Sequence, residues 1–436
     1  RIEKKIALLN SSTLLESSIF KSDSIIDVLR LLVLEDEIKN INCSEILYFG
    51  FNRNVSNALN IYCNLKNINF SWEKKSTKKQ ENFLKFNIRE RLPNFLKAVV
   101  FVGKFIWTKW SLTKIRKPKW YNTEYGISIF SYFIHLDERL FHTGKIFPKQ
   151  WGLFPELLLE SKKKINWIHH FLKSSLVPNN SDAIKIVNKV NIKREENCTH
   201  LFLDSFLDFF IVIKSIKDYA ECYIDFLLSR NKIESTILSL KYGWLWPLFS
   251  NEWDKSTLGN VAIHNIFRIH LFNKALSQMP TQKVGLYLCE NQGWERIFIN
   301  AWYRNGHGKL IGVVHSTISY WDLRYFDKQN KLSRMWQPDI VAVNGNNAWK
   351  QLKSAKQNIN HYIKVEALRY LHFNRYTVKR KKYDSSQLQT SRLPYYIIIG
   401  DINPKTTHQM LSCINIAYSS LKKKYEVIFK PHPGNI

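Results

Sequence analysis

No Cys-x-x-Cys pair and no Cys/His cluster occurs in this chain. Its six cysteines, Cys43, Cys63, Cys198, Cys222, Cys289 and Cys413, lie far apart. That spacing argues against a structural zinc site or a disulfide framework and fits a reducing compartment. No apolar run approaches the roughly 18 residues required to span a bilayer, because lysines or acids interrupt each candidate. The expectation is a chain that is free in solution or lies on a membrane surface. The strings Gly-x4-Gly-Lys-Ser/Thr, His-Glu-x-x-His and Gly-x-Ser-x-Gly are absent, which removes the main support for a P-loop NTPase, a zinc protease or a serine hydrolase. Acidic residues are scarce: 36 Asp and Glu face 65 Lys and Arg, for a formal net charge of +29. The basic residues are spread over the whole chain and no recognisable RNA- or DNA-binding motif accompanies them, so nucleic acid is not the expected partner. The excess reads first as AT-rich codon usage, which also explains abundant Asn, Ile and Ser, and next as attraction to anionic lipid or a phosphate-bearing substrate.

What is present is a large apolar fraction: 45% hydrophobic and 14% aromatic over 436 residues, too much for disorder. At about 150 residues per domain, the length corresponds to two or three domains with cores of their own. The chain opens with Arg1 and stops at Ile436 just after a turn signal, so it reads as a fragment and leaves room for an upstream signal peptide.

The pattern along the chain is α/β. Ile46–Gly50 is a buried-strand run, Asn54–Leu65 a helical stretch and Asn69–Trp72 another extended piece. Such alternation suggests a parallel sheet with crossover helices. Pro93–Trp110 is expected to be a helix, with Lys97, Lys104 and Thr108 on one stripe and Leu96, Val99, Val100, Ile106, Trp107 and Trp110 elsewhere. Lys114, Arg116, Lys117 and Lys119 follow it. Lysines beside Trp and Phe suit an interfacial membrane helix, and they equally suit a core helix with one solvated edge. Gly126–Asp137 reads as extended, Trp151–Leu159 as a helix and Ile165–Phe171 as another apolar piece. Residues 201–229 and 256–278 read as helices, the second with Ser256 as N-cap.

The last third alternates most clearly. Val284–Cys289, Leu310–Val314, Ile340–Val343 and Tyr362–Val365 are expected strands, with helices at Gly293–Arg304 and Asn347–Ala355, which is Rossmann-like βα spacing. A polar, basic stretch, 372–393, reads as a linker after a first domain of residues 1–371. A second β-α-β unit begins near residue 394: Tyr395–Gly400, a helix over Thr407–Leu421, and Glu426–Lys430. The fold expected is therefore two facing Rossmann-like domains, the second (394–436) cut short.

Three clusters stand where chemistry would occur. In an open α/β sheet the carboxyl ends of strands point into the ligand crevice. Glu290, in the string Glu290-Asn291-Gln292-Gly293-Trp294-Glu295-Arg296, sits at such an end, as a general base or as a cap serving the helix dipole. His315 ends the next strand, so the two titratable groups can converge. Trp321 and Tyr325 could stack on a sugar face or pack between domains; Asp322 adds a polar contact, and Arg324 could hold a phosphate or carboxylate. Finally, Lys430-Pro431-His432-Pro433-Gly434 projects an imidazole from a turn that the prolines make rigid. A rigid imidazole beside a lysine suits a phosphate leaving group.

The string Lys430–Pro433 resembles the His-Pro motif of GT-B glycosyltransferases, notably bacterial sialyltransferases, Kdo transferases and the glycerophosphotransferases of teichoic-acid synthesis. Tyr287–Phe326 (YLCENQGWERIFINAWYRNGHGKLIGVVHSTISYWDLRYF) resembles the signature stretch of a bacterial surface carbohydrate biosynthesis family found among O-antigen and capsule gene sets. The similarity extends from about Gly126 to Gly434. It implies a metal-independent glycosyltransferase that uses a nucleotide-activated sugar, a CMP-sugar among the candidates, and a lipid-linked glycan acceptor on the cytoplasmic face of the inner membrane. By the same resemblance His432 contacts the donor's nucleotide phosphate and Glu290 maps to the base; on the reading of the residues themselves, His315 orients the acceptor or shares the role of base, and Lys430 and Gly400 hold the donor phosphate with His432. The absence of an Asp-x-Asp triplet fits, since the metal-dependent GT-A type depends on one. No metal or cofactor is expected. The acidic base motif of sialyltransferases has no clear counterpart here. Polyol-phosphate transfer and a non-catalytic glycan- or lipid-binding scaffold are the alternatives.

Overall fold

The structure is a computed structural model. It describes the chain apart from residues 1, 20, 23, 75–91, 123–125, 194–196, 317, 319–322, 327–333, 356–360, 372–394, 402, 422–425 and 432–436. The chain divides into two compact units, Arg1–Phe373 and Asn374–Ile436. The expected linker, 372–393, lies outside the described residues.

The first unit is built on seven strands: β3 (Gly126–Phe133), β4 (Lys164–Phe171), β5 (Cys198–Phe202), β6 (Val284–Leu288), β7 (Lys309–Val313), β8 (Ile340–Asn344) and β9 (Tyr362–Val365). Every pairing among them is parallel, in the spatial order β5-β4-β3-β6-β7-β8-β9. The chain steps outward from β3 to β5, recrosses through a long helical stretch, sets β6 beside β3 and then steps outward the other way. That is a doubly wound, Rossmann-like order whose direction reverses between β3 and β6, where ligands bind in open α/β sheets.

The strand sequences explain the burial. GISIFSYF and KINWIHHF are nearly continuous apolar or aromatic runs, as a strand covered on both faces requires. Alternate side chains go to opposite layers. Tyr287 joins the core shared with helices Asn94–Lys109, Asn260–Ser277 and Gly293–Arg304, while Leu286 and Leu288 join the core on the other face with Trp151 and Trp167. At the amino edge of the sheet a buried polar network ties strands to an irregular segment. Asn166 donates to Gln282 Oε1 (3.1 Å) and to the Tyr121 carbonyl (3.0 Å), and accepts from Thr199 (3.1 Å) and the Tyr121 N–H (3.0 Å).

Two sequence expectations are corrected. Residues 201–202 belong to β5 rather than to a helix, and the helix that follows spans Phe209–Leu238, capped by Asp208 accepting from the Ile211 N–H at 2.7 Å. Cys-Thr-His-Leu-Phe is a short buried run, and periodicity cannot separate a buried strand from a helix at that length. Ser256 is not an N-cap: it lies near the end of helix Trp246–Thr257, and the next helix, Asn260–Ser277, starts after Gly259. Its hydroxyl instead accepts from the Thr13 N–H at 3.3 Å.

A smaller parallel pair, β1 (Glu45–Phe49) with β2 (Asn69–Glu73), stands apart from the main sheet. Helices Ser24–Lys39 and Arg53–Lys66 cover it around a core of its own that includes Trp244 and Leu248. The second unit contains β10 (Tyr395–Ile399) and β11 (Glu426–Lys430), parallel to each other, and helix Pro404–Leu421.

Candidate functional site

Glu290 lies two residues past β6 and His315 two residues past β7, so the neighbouring parallel strands deliver both side chains to one edge. His315 Nε2 stands 3.3 Å from Glu290 Oε1. Burial pushes the imidazole below its ordinary pKa, the Glu290 carboxylate pulls it up, and Arg369 and Arg324 push it down again. The net direction is down, so His315 is a neutral ring near pH 7. Its buried Nδ1 has no hydrogen-bond partner among the described residues, which assigns the proton to Nε2, facing the carboxylate.

The turn that carries Glu290 is over-determined by its neighbours. Asn291 has φ +55°, a left-handed conformation that Asn tolerates. The Glu295 carboxylate accepts from the N–H groups of Glu290 (2.9 Å) and Asn291 (3.0 Å), filling the concavity those amides make. Burial raises the Glu295 carboxyl to about 8, even though these backbone bonds lower it. Gln292 donates to Glu290, and Arg324 donates to the Glu290 carbonyl at 3.2 Å. Of the two glutamates in the string, Glu295 is consumed by the turn and Glu290 is presented by it.

The amino-terminal residues close over this turn. Glu16 accepts from the Gly293 N–H at 2.6 Å, at the start of helix Gly293–Arg304, where a carboxylate meets the positive end of the helix dipole. Lys21 bridges Glu16 (2.6 Å) and Gln292 (3.3 Å). Arg296 reaches the carbonyls of Asn10 (3.2 Å) and Leu15 (2.9 Å). At Gly293 a Cβ would lie 2.2 Å from the Ser11 carbonyl oxygen, so only glycine admits this approach.

The remaining sequence-predicted residues fall out differently. Tyr325 is 3% exposed and donates to the Cys289 carbonyl at 2.9 Å, so in this conformation its ring offers no face to a sugar. Arg324 lies over that ring, 5.5 Å from its centroid. Trp321 and Asp322 lie outside the described residues, as does His432. In the second unit Gly400 and Lys430 meet at the carboxyl ends of β10 and β11: the Gly400 N–H donates to the Lys430 carbonyl at 2.9 Å, and Lys430 is exposed. Among the described residues there is no cluster of His, Cys, Asp or Glu able to hold a metal.

Sequence reasoning missed a cavity of about 450 Å³ whose wall includes Tyr132 near the end of β3, His170 near the end of β4 and Arg268 from helix Asn260–Ser277. The carboxyl-edge argument that found Glu290 applies equally to Tyr132 and His170. Neither residue stands in a recognisable motif. Tyr132 accepts from Trp294 Nε1 (2.9 Å) and donates to Gln292 Oε1 at 3.4 Å, so a hydrogen-bonded path leads from the cavity wall through Gln292 to Glu290.

Beside the cavity, helix Asn94–Lys109 buries Ala98 and Phe105 and leaves Phe95, Leu96, Val99 and Val100 exposed, with Trp107 88% exposed. Helix Phe209–Leu238 carries a second exposed apolar stripe at helical spacing: Phe209, Ile213, Ile216, Ile224 and Leu227. Phe95 packs on Tyr223 at 6.1 Å, so the two stripes meet. Among the described residues no helix is long and apolar enough to cross a membrane.

Fold and site together define a doubly wound parallel α/β protein with a carboxylate–imidazole pair at the carboxyl edge of its sheet. No family model, curated protein or solved structure matches the chain.

Proposed function

We propose that the chain is a metal-independent glycosyltransferase of GT-B type, acting in bacterial surface polysaccharide synthesis and moving a sugar from a nucleotide-activated donor to a lipid-linked glycan. The observation that carries the reading is the Glu290–His315 pair, 3.3 Å apart beside the sheet's switch point. In this reading Glu290 accepts the proton of the acceptor hydroxyl as that oxygen attacks the sugar carbon. A neutral His315 orients the carboxylate through Nε2–H without quenching its basicity, as a protonated ring would. Lys430, Gly400 and His432 belong to the donor-phosphate half, where developing negative charge needs donors.

The exposed apolar stripes support peripheral attachment to an anionic bilayer on the cytoplasmic face. Trp107 and the aliphatic side chains would enter the headgroup region, and nearby cations such as Lys104, Lys114 and Arg116 would meet lipid phosphates.

Incubation of the full-length protein with a panel of labelled nucleotide sugars and a lipid-linked acceptor tests the catalytic reading. Glu290→Gln, nearly isosteric, is expected to lower transfer by about 10²–10⁴-fold, the usual range for a general base. Transfer that persists in Glu290→Gln at the wild-type rate would remove Glu290 as the base. No transfer by the wild type with any donor would favour a binding scaffold.

A further inference from the structure

The cavity of about 450 Å³ between helices Asn94–Lys109 and Asn260–Ser277 has an unbalanced set of charges. Lys104, Lys109 and Arg268 line it together with His170 and His264, against a single carboxylate, Asp204. Asp204 is already taken, 2.8 Å from the Lys109 ammonium. Arg268 has no carboxylate within ion-pair distance among the described residues, and its one side-chain hydrogen bond there is a long one to Asn265, 3.3 Å. Arg268 is half-buried, and drawing a guanidinium even partly out of water without a counter-charge is costly. Burial accordingly lowers its pKa, an effect that the more distant Tyr132, Glu16 and Asp204 oppose. The Nε2 atom of His170 is also buried with no hydrogen-bond partner among the described residues. A fixed cation and an unsatisfied imidazole nitrogen on one cavity wall both lack an acceptor-rich anion.

The size of the cavity narrows the choice. At about 450 Å³ it lies within the roughly 300–1,000 Å³ range of small-molecule pockets and is far larger than a bare phosphate needs. Apart from Thr108 and Asn260, the rest of its lining is aromatic and aliphatic, with Phe101, Phe105 and Phe171 prominent. That is the lining expected of a pocket for a small organic ligand with one charged end.

We propose that this cavity binds a phosphate ester of about monosaccharide size, its phosphoryl oxygens taken by the Arg268 fork and Lys104 and its organic part lying against the phenylalanines. Arg268 supplies paired donors in the geometry a phosphate accepts. His170 and His264 are held neutral by burial and by Arg268, and they act as hydrogen-bonding groups rather than as further charges. The phosphate can come from a free sugar phosphate or from a lipid headgroup, since one wall of the cavity is the same helix that exposes Trp107. The inference rests on the cavity's own residues and holds whether or not Glu290 is a catalytic base.

The test is titration calorimetry on the whole chain with glucose 6-phosphate and glucose, alongside flotation with phosphatidylcholine vesicles that contain or lack phosphatidic acid. Arg268→Gln and the rim variant Lys104→Gln are compared with Lys353→Gln, an exposed cation outside both the cavity and the membrane face. If the phosphate is free, glucose 6-phosphate binds and glucose does not. Arg268→Gln then weakens binding about 100-fold, Lys104→Gln about 10-fold, and Lys353→Gln leaves it unchanged. If the phosphate is a headgroup, the same ranking appears only in flotation with phosphatidic acid. Lys104→Gln keeps the fold and reads out even where Arg268→Gln does not fold. Absence of binding in both arms overturns the proposal, and so does binding that Lys104→Gln and Lys353→Gln weaken equally.

Discussion

His169 and His200 lie on β4 and β5, deep in the sheet, with ring planes 3° from parallel, edge to edge, and His169 Nε2 3.0 Å from His200 Nδ1. Trp167 stacks on both, at 5.3 Å and 5.9 Å. Because His169 Nδ1 is buried with no partner among the described residues, the shared proton sits on His169 Nε2 and points at His200. Burial lowers the His200 pKa to about 3 and holds His169 well below its ordinary value, with like-charge repulsion from His200 and His170 adding to the latter. In the unfolded chain each ring returns to about 6.5. Folded-state values below unfolded ones mean that the unfolded chain binds more protons in acid, so stability is fully present above about pH 6.5 and is lost as pH falls through that value. At about pH 5 the His200 ring alone contributes a loss of about 2 kcal/mol, and His169 adds to it in the same direction. That is a sizeable share of the roughly 5–15 kcal/mol typical of folded proteins. The double variant His169→Phe/His200→Phe keeps two aromatic rings beside Trp167 and removes both titrations. Urea unfolding followed by tryptophan fluorescence, at about pH 7.5 and about pH 5, should show a pH-dependent loss smaller by at least about 2 kcal/mol than in the wild type, whatever the variant's absolute stability. An identical pH dependence in the two proteins would refute the assignment of these rings as buried and neutral.

Three further outcomes are expected. Gly293→Ala forces a Cβ against the Ser11 carbonyl oxygen and should cost about 1–3 kcal/mol, read as a lower urea midpoint; an unchanged midpoint would mean that the amino-terminal segment does not hold this turn. Asn166→Ala strands four partners at the amino edge of the sheet and should cost about 2–4 kcal/mol by the same assay, with a loss below about 1 kcal/mol contradicting the network. Co-sedimentation with anionic vesicles should fall roughly fivefold for each of Lys114→Gln and Arg116→Gln and should fall again with Trp107→Ser. Lys117 is left out because it bonds Gln278 at 2.8 Å and lies 5.2 Å from the centroid of the Phe206 ring. Binding insensitive to these changes and to salt would argue against the membrane face.

Much of the strand-and-helix order was legible because parallel strands in a covered sheet must be short, continuous apolar runs. VGLYL, KLIGV and YYIII (Tyr395–Ile399) announce themselves, and the helix Gly293–Arg304 was read at its observed limits. The same rule failed at β5, whose five residues run into a long apolar helix after a brief turn. Local pattern also placed Glu290 and His315 at strand ends, where an α/β sheet presents its ligand groups. It was silent on Arg268, which looks like any basic residue on a helix.

By itself the amino-acid sequence determined the local periods, the strand ends and therefore which residues could face a crevice. Only the tertiary structure decided which of them meet. Glu290 and His315 pair because β6 and β7 are neighbours in register, and Glu16 reaches Gly293 across 277 positions of chain. Hydrophobic periodicity is set by residues within a turn or two of each other, whereas strand order and burial of charge are set by packing among distant segments. That is why the sequence marks Glu290 but not Arg268, whose significance exists only once the fold half-buries it with no carboxylate in ion-pair range among the described residues.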